Sequence, residues 1–364
     1  MLFDSTVRRE LARSFGATLV VILTIVLTMF LIRTIAQAAG GVVSPQDVVL
    51  LLGFISLGHL PTMLTLSLFV AIVVTLGRMY RDSEMIIWFA SGVAVVRFVR
   101  PVLMTALPVL VVVALLLVFV WPWGNEQTQE LRDRYQQRSD IARVAPGVFQ
   151  TSSDGQRVFF VERDGADAEN ARNVFILTRM NQSESVTSAH RGHVETKDDE
   201  RFLVLENGQR NEINMKTFDK TMSNFASYRV LTEDKALGSA KAKAPRATST
   251  AVLMRDGSAE ANGELAWRFG LLFAAGNLLL LGISLAASNP RRPSNWSLLF
   301  ALFTFIVYLN MVTLTQAWVS SSRVDVAPAL VGLHGGMFLL ALLLLWWRDH
   351  AAVLRWRGAK AVAA

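Results

Sequence analysis

Two arginines lie in or beside long apolar runs, where a charged side chain needs a reason. Arg33 interrupts the run from Phe15 to Ala39, and Arg323 ends the fifth apolar run. A guanidinium pairs with phosphate through two parallel hydrogen bonds, so both residues are candidates to contact an anionic lipid. An Arg inside a span costs at least about 2.5–3.5 kcal/mol near the centre. Near the end of a helix it can reach the headgroups, so simple anchoring of the helix explains Arg33 equally well.

A second candidate site lies in the segment from Arg78 to Arg100. Asp82 or Ser83 is predicted to cap a short helix, and Glu84 falls in its first turn, where the helix dipole favours a carboxylate. The residues that follow, Met85 to Phe89, are far more apolar than a solvated loop. This pattern predicts a docking helix for a cytosolic partner. A helix lying on the membrane surface is the alternative.

Catalytic chemistry finds little support in the sequence. No Gly-x-x-x-x-Gly-Lys-Ser/Thr loop is present, so the chain is not expected to hydrolyse ATP itself. Ser284 and His334 resemble an intramembrane serine dyad, but their predicted depths differ. Ser284 lies sixteen residues after Arg268, about 24 Å deep, and His334 lies eight residues after the start of the sixth span, about 12 Å deep. His190 and His193 are predicted to be solvated residues of a β loop, and no metal site is expected.

The elements that carry these residues are six apolar segments, each long enough to cross a membrane. No Asp or Glu is predicted inside them. The segments lie at about Phe15–Ala39, between Asp47 and Arg78, between Arg100 and Glu126, between Arg268 and Arg291, between Arg292 and Arg323, and between Asp325 and Arg348.

Charge fixes the predicted orientation. Residues 126–268 hold 21 of the 36 Lys and Arg and 22 of the 29 Asp and Glu, a net of −1, so the rest of the chain carries +8. This distribution is typical of a membrane protein and needs no nucleic acid as partner. Thirteen Lys and Arg fall in the short segments of one side and two in those of the other, which places both termini in the cytoplasm. Zero Cys excludes disulfides and thiolate metal sites.

The long insert is predicted to be an all-β domain. Short β-branched and aromatic runs, at 156–162, 173–178, 201–205 and 225–231, are separated by turn signals that include Asn207-Gly208. Such strands favour a sandwich or jelly roll. The predicted organisation is spans one to three in 1–125, a β-jelly-roll-like domain in 126–267 with a mobile linker at 235–250, and spans four to six in 268–364.

Several short motifs occur in a fixed order along the chain. They are Arg-Arg-Glu before the first span, Arg33 near its outer end, Arg-x-x-Arg-Asp-Ser-Glu-Met from Arg78 to Met85, Ala-Ser-Gly-Val from Ala90 to Val93, Glu-Leu-Ala-Trp-Arg from Glu264 to Arg268, and Asn-Pro-Arg-Arg from Asn289 to Arg292. In this order they resemble the LptF/LptG permease family, the membrane subunits of the lipopolysaccharide export ABC transporter, over essentially the whole chain. Arg-Asp-Ser-Glu-Met and Glu-Leu-x-Trp-Arg are closer to the LptF branch than to the LptG branch.

The resemblance implies a bacterial inner-membrane subunit that extracts lipopolysaccharide, with its β domain in the periplasm. The segment at about 82–98 would be the coupling helix for an LptB-like ATPase dimer, with Glu84 at the contact and Asp82, Ser83 and Met85 beside it. ATP and Mg would bind only to that ATPase, leaving no cofactor in this chain. An LptG-like six-span permease and LptC- and LptA-like β-jelly-roll proteins would be the other partners.

The resemblance also implies two lipid-contacting regions, one in the membrane and one in the β domain. Arg33 and Arg323 would meet lipopolysaccharide phosphates. Phe159, Phe160, Phe175 and Ile176 are candidates for an apolar groove, although an ordinary β core explains them as well. A membrane-anchored binding or sensor protein without energy coupling is the competing hypothesis.

Overall fold

The computed structural model describes residues 2–39, 43–136, 149–151, 157–163, 170–180, 183–197, 200–233, 243–286 and 296–362. Among these residues, six helical segments are long and apolar enough to cross a membrane, and a β-sheet lies between the third and the fourth. The predicted fold class, six transmembrane helices with an inserted all-β domain, is confirmed. The spans are Phe3–Ala39, Pro45–Arg81, Val95–Arg134, Ala259–Leu285, Leu298–Ser320 and Val326–His350.

The helices that build the first three spans are longer than their apolar runs. They are α1 (Leu2–Ala39), α2 (Val48–Arg81), α4 (Val99–Leu115) and α5 (Trp121–Gln136), and a π-helical turn at Leu116–Val120 joins the last two. A short helix, α3 (Glu84–Ala90), lies between the second and third spans. Helix α1 thus begins at Leu2, well before Phe15. Charged residues mark where the apolar run ends, but they are good helix formers and do not end a helix.

The second half follows the same rule. It contains α6 (Thr250–Asp256), α7 (Ala259–Leu285), α8 (Trp296–Ser320), α9 (Val326–Leu330) and α10 (Gly336–Val362), with a second π-helical turn at Val331–Gly335. The fourth apolar segment was predicted between Arg268 and Arg291, and the helix that carries it begins before Arg268. Ser258 caps it by accepting a hydrogen bond from Ala261 N, and the helix starts at Ala259.

The inserted β-sheet is a single antiparallel meander whose six strands follow one another in sequence order. The strands are β1 (Gln150–Thr151), β2 (Arg157–Arg163), β3 (Asn170–Met180), β4 (Ser183–Lys197), β5 (Glu200–Asn214) and β6 (Lys220–Glu233). Its apolar core contains Phe159, Val174, Ile176, Leu203 and Leu205. The turn signals predicted at 153–155 and 164–165 lie outside the described residues.

The sheet has an irregularity that crosses β3, β4 and β5. Asn173 on β3 and Asn207 on β5 both have a positive φ, at 48° and 50°, and His190 on β4 lies opposite both in the register. From Ser185 to Ala189 every second residue of β4 is buried, but the next buried residue is Gly192, so the alternation of buried and more exposed positions shifts by one residue there. The prediction that Asn207-Gly208 forms a turn is therefore wrong, because the pair lies inside β5. Asn tolerates the left-handed region in a bent strand as well as in a turn.

The chain divides into two compact units: 1–33, 49–129 and 243–364 form a helical unit, and 34–48 and 130–242 form the unit that contains the sheet. Of the predicted mobile linker at 235–250, residues 235–242 lie outside the described residues. Within the rest, Pro245–Ala247 forms a 3-10 turn, and the Pro245 and Arg246 carbonyl oxygens accept hydrogen bonds from Arg268.

Candidate functional site

The predicted docking helix is α3, and it presents an apolar face to solvent. Ile86 and Ile87 are 56% and 69% exposed, whereas Met85 is buried. Met85 packs in the cluster that holds Met79 of α2 and Phe98. One apolar residue of α3 therefore anchors the helix, and its neighbours remain available to a partner.

The residues before α3 do not form the predicted cap. Ser83 adopts a left-handed conformation, φ 63°, and makes no side-chain capping bond. Asp82 and Glu84 instead face the Arg78 guanidinium, with Oδ2 and Oε1 at 3.9 and 3.8 Å from Nη1. These three residues form an acidic and basic patch beside the apolar face of α3. Its ion pairs are half-exposed, so each contributes less than about 1 kcal/mol to stability.

The far end of the segment predicted at about 82–98 is also held in place. A 3-10 turn at Val95–Phe98 follows α3, and the Val95 N–H donates to Asp349 Oδ1 of α10 at 3.0 Å. The segment predicted at about 82–98 is thus a short helix and a turn that contact the second and sixth spans. A movement of α3 would act on both of those helices.

The two arginines predicted to bind phosphate are exposed. Arg33 lies in α1 six residues before its end at Ala39, and Arg323 follows the end of α8. In the described part of the chain, neither guanidinium makes a hydrogen bond or an ion pair. Both charges are therefore free to meet an anionic ligand, although exposure of this kind also suits a headgroup anchor.

The prediction that no acid lies within a span missed a buried pair of charged residues at the start of the fourth span. Glu264 and Arg268 of α7 are each only 2% exposed and form an ion pair at 3.0 Å. Glu264 also accepts a hydrogen bond from Trp121 Nε1 at 2.8 Å. The signal was present in the sequence, because a Glu four residues before an Arg falls on the same helix face.

The Arg268 guanidinium joins α7 to the chain that returns from the sheet. Its Nη1 donates to Thr250 Oγ1 at 2.7 Å, and its Nη2 donates to the backbone carbonyl oxygens of Pro245, Arg246 and Thr248 at 3.0–3.3 Å. Every nitrogen of the guanidinium is paired, which is how a protein tolerates such a buried charge. This cluster is a fixed attachment rather than an open binding site.

The serine-dyad alternative does not fit the geometry. Ser284 Oγ donates to the carbonyl oxygens of Leu280 and Leu281 in its own helix. His334 Nδ1 instead bonds the Tyr308 hydroxyl at 2.8 Å. Since α7 begins at Ala259, Ser284 lies about 37 Å along it. Nucleophile and base therefore have other partners at different depths.

The groove candidates of the β domain divide between two faces. Phe159 pairs with Ile176 and both are buried in the core, whereas Phe160 pairs with Phe175 and both are half-buried. Phe160 and Phe175 line a cavity of about 700 Å³, where the Phe149 ring lies 4.8 Å from that of Phe160. Only this second pair is accessible to a ligand from the cavity.

The histidines predicted in a loop belong to a strand. Both His190 and His193 lie in β4, and His193 Nδ1 is 3.5 Å from Glu206 Oε1 of β5. Among the described residues, no three His, Asp or Glu side chains come together as metal ligands would.

Comparison with known proteins agrees with this architecture. The family described as lipopolysaccharide export system permease LptF/LptG matches residues 6–348. The chain is 26% identical over 355 residues to the lipopolysaccharide export system permease protein LptF of Escherichia coli K12, covering 96% of each chain, and equally similar to that of Shigella flexneri. The chain therefore belongs to the LptF/LptG family of lipopolysaccharide export permeases and is a multi-pass inner-membrane protein, a transporter subunit rather than an enzyme.

Proposed function

We propose that this chain is the LptF-type permease subunit that extracts lipopolysaccharide from the outer leaflet of the inner membrane and passes it to a periplasmic bridge, driven by ATP hydrolysis in a partner. The observation that carries the proposal is α3, an apolar helix on the predicted cytoplasmic side that is anchored in the helical unit yet exposed at Ile86 and Ile87. A permease without a phosphate-binding loop needs such a surface to receive force from an ATPase.

The partners follow from the family and from the exposed surfaces. An LptB-like ATPase dimer, which binds ATP and Mg, would dock on α3 with Glu84 at the contact. An LptG-like permease would complete the lipid cavity, and LptC- and LptA-like β-jelly-roll proteins would receive the lipid. Apolar side chains along α1 are consistent with a helical partner, because Val20, Ile25 and Ile32 are each more than 60% exposed.

The orientation is part of the proposal. Both termini lie in the cytoplasm and the sheet lies in the periplasm, so Arg33 and Arg323 fall at the outer face. Each guanidinium would pair with a lipid phosphate through bidentate hydrogen bonds. Extraction costs about 0.8 kcal/mol for each methylene that leaves the bilayer. The apolar cavity at Phe160 and Phe175 would offer replacement surface on the way out.

Affinity purification tests the proposal. The tagged chain, taken from its own membranes, should bring with it an ATPase and a second six-span permease. Glu84→Lys should reduce recovery of the ATPase while leaving the second permease bound, since the reversed charge faces Arg78 and the partner surface. Glu130→Lys, on the exposed part of α5, is the matched charge control. A chain that purifies without any ATPase would favour the sensor hypothesis and overturn the proposal.

A further inference from the structure

The cytoplasmic end of α1 packs directly against the coupling segment. Val7 and Leu11 are fully buried in the cluster that also holds Met85 of α3. The Phe3 ring meets Trp88 of α3 and Phe98 of the following turn edge-to-face, at 4.9 and 4.8 Å. Such aromatic pairs contribute beyond their buried area, so α3 and the start of α1 form one packed body.

Polar bonds hold α1 against α2 at the same level. Arg78 Nη2 donates to Glu10 Oε2 at 2.9 Å, while its Nη1 faces Glu84 at 3.8 Å. One turn further into the membrane, Thr75 Oγ1 donates to Ser14 Oγ at 2.8 Å. The two terminal nitrogens of one arginine thus contact an acid of α1 and an acid of α3.

Beyond this body, α1 crosses the membrane with little support from its own chain. Val21 and Met29 are more than half exposed. The next buried residue after Leu11 is Phe30, whose ring lies 4.8 Å from that of His59 of α2. Glu10 and Arg33 are 23 residues apart in one uninterrupted helix, which is about 35 Å. That length matches the bilayer, so a helix held at its two ends carries a movement from one face to the other.

We propose that α1 is the lever that carries movement of the coupling helix to the lipid-facing end of the permease, with Arg78 as the positioning residue that ties Glu84 to Glu10. The inference rests on the proposed function, because α3 must be the helix that the ATPase moves. It adds that the first span is driven at its cytoplasmic end. The Glu10–Arg78 bond then matters for converting ATP hydrolysis into transport rather than for assembly.

The test is a double-mutant cycle on the full complex, with the partner permease and ATPase, in lipopolysaccharide-containing nanodiscs or liposomes. Glu10→Gln and Arg78→Gln should each lower lipopolysaccharide delivered per ATP by up to about fivefold, the factor that a half-exposed ion pair can supply. In Glu10→Gln, whose acid lies on α1, ATP hydrolysis and assembly should stay near wild type. The double variant should be no worse than the worse single variant, because one shared bond is lost. Glu130→Gln removes an acid from an exposed ion pair and is the control.

A direct readout of movement accompanies the cycle. The chain has no Cys, so spin labels can be introduced at Met29 of α1 and Phe273 of α7, both about half exposed. The distance between them should change on ATP addition in the wild type and stay fixed in Glu10→Gln. A purely structural role for the ion pair would not predict this difference.

Several outcomes overturn the lever. The first is unchanged lipopolysaccharide delivery per ATP in Glu10→Gln, and the second is a loss in the double variant that equals the product of the two single losses. The others are loss of assembly in Glu10→Gln and an equal fall in delivery with Glu130→Gln. The proposed function fails separately, when the wild-type chain brings no ATPase or moves no lipopolysaccharide. If the wild-type complex and the Glu10→Gln complex both transport lipopolysaccharide normally, the lever is refuted and the proposed function still holds.

Discussion

Replacing Arg268 by Met is the sharpest test of how the fourth span holds the returning chain. The substitution keeps much of the side-chain volume but leaves the Glu264 carboxylate, 2% exposed, without its cation. Removing one partner of a buried pair typically costs about 3–5 kcal/mol. The Thr250 hydroxyl and three carbonyl oxygens at 245–248 lose their donor as well. We therefore expect residues 243–250 to detach before the helices unfold.

Limited trypsin digestion in detergent measures this detachment at the residue concerned. The scissile carbonyl after Arg246 is itself one of the oxygens that Arg268 binds, at 3.3 Å. A loss of about 3 kcal/mol raises the open population by roughly 150-fold, and cleavage follows that population when reclosing is fast. Arg255→Met, which removes an exposed arginine of α6, should leave cleavage after Arg246 unchanged.

The pair itself is tested by the double variant Glu264→Gln with Arg268→Met. Removing both charges should cost less than the sum of the two single variants, because no unpaired buried charge remains. Thermal unfolding monitored by tryptophan fluorescence is suited to the site. Trp121 donates a hydrogen bond to Glu264, and its ring centroid lies 4.5 Å from that of Trp267. Wild-type cleavage rates and melting in Arg268→Met would refute the reasoning.

Three further predictions follow from the described contacts. Arg33→Glu should lower photocrosslinking of lipopolysaccharide by about tenfold and Arg33→Gln by less, as expected for a charge-assisted contact; equal crosslinking would make Arg33 an anchor. Gly263→Ala should destabilise by about 1–3 kcal/mol, measured by thermal melting, because its Cβ would clash with the Ser320 side chain; Ser320→Gly should restore part of the loss. Ser284→Ala should leave transport unchanged, since its hydroxyl bonds only its own helix.

The membrane architecture was predictable because it depends on composition. A run of about 20 apolar residues has few alternatives to a spanning helix. The helix ends were not predictable from the same signal. Glu264 and Arg268 were interpreted as lying outside the membrane, whereas they pair with each other at four-residue spacing inside α7. Hydropathy scores each charge separately and does not register that two opposite charges neutralise one another.

The β domain shows a different limit. Strand β4 was missed because its buried positions, Ser185, Thr187 and Ala189, are small rather than large and apolar. They face a core supplied by bulkier neighbours such as Phe159 and Ile176, so the strand carries no hydrophobic alternation of its own. The period-two spacing of small and β-branched residues was the available signal. A strand defined by what its neighbours bury is difficult to find from its own segment.

The two arginine clusters of the helical unit have opposite physical properties, and this difference assigns them different roles. Arg268 is buried with every nitrogen paired, so breaking its cluster exposes a desolvated acid at a cost of several kcal/mol. Arg78 is 38% exposed and its ion pairs with Glu10 and Glu84 are each worth less than about 1 kcal/mol. A contact that must rearrange in every transport cycle needs the second property, because a costly one would stop the cycle in one state. The fixed attachment therefore lies where the chain returns from the sheet, and the adjustable one lies beside α3, the helix proposed to dock the ATPase.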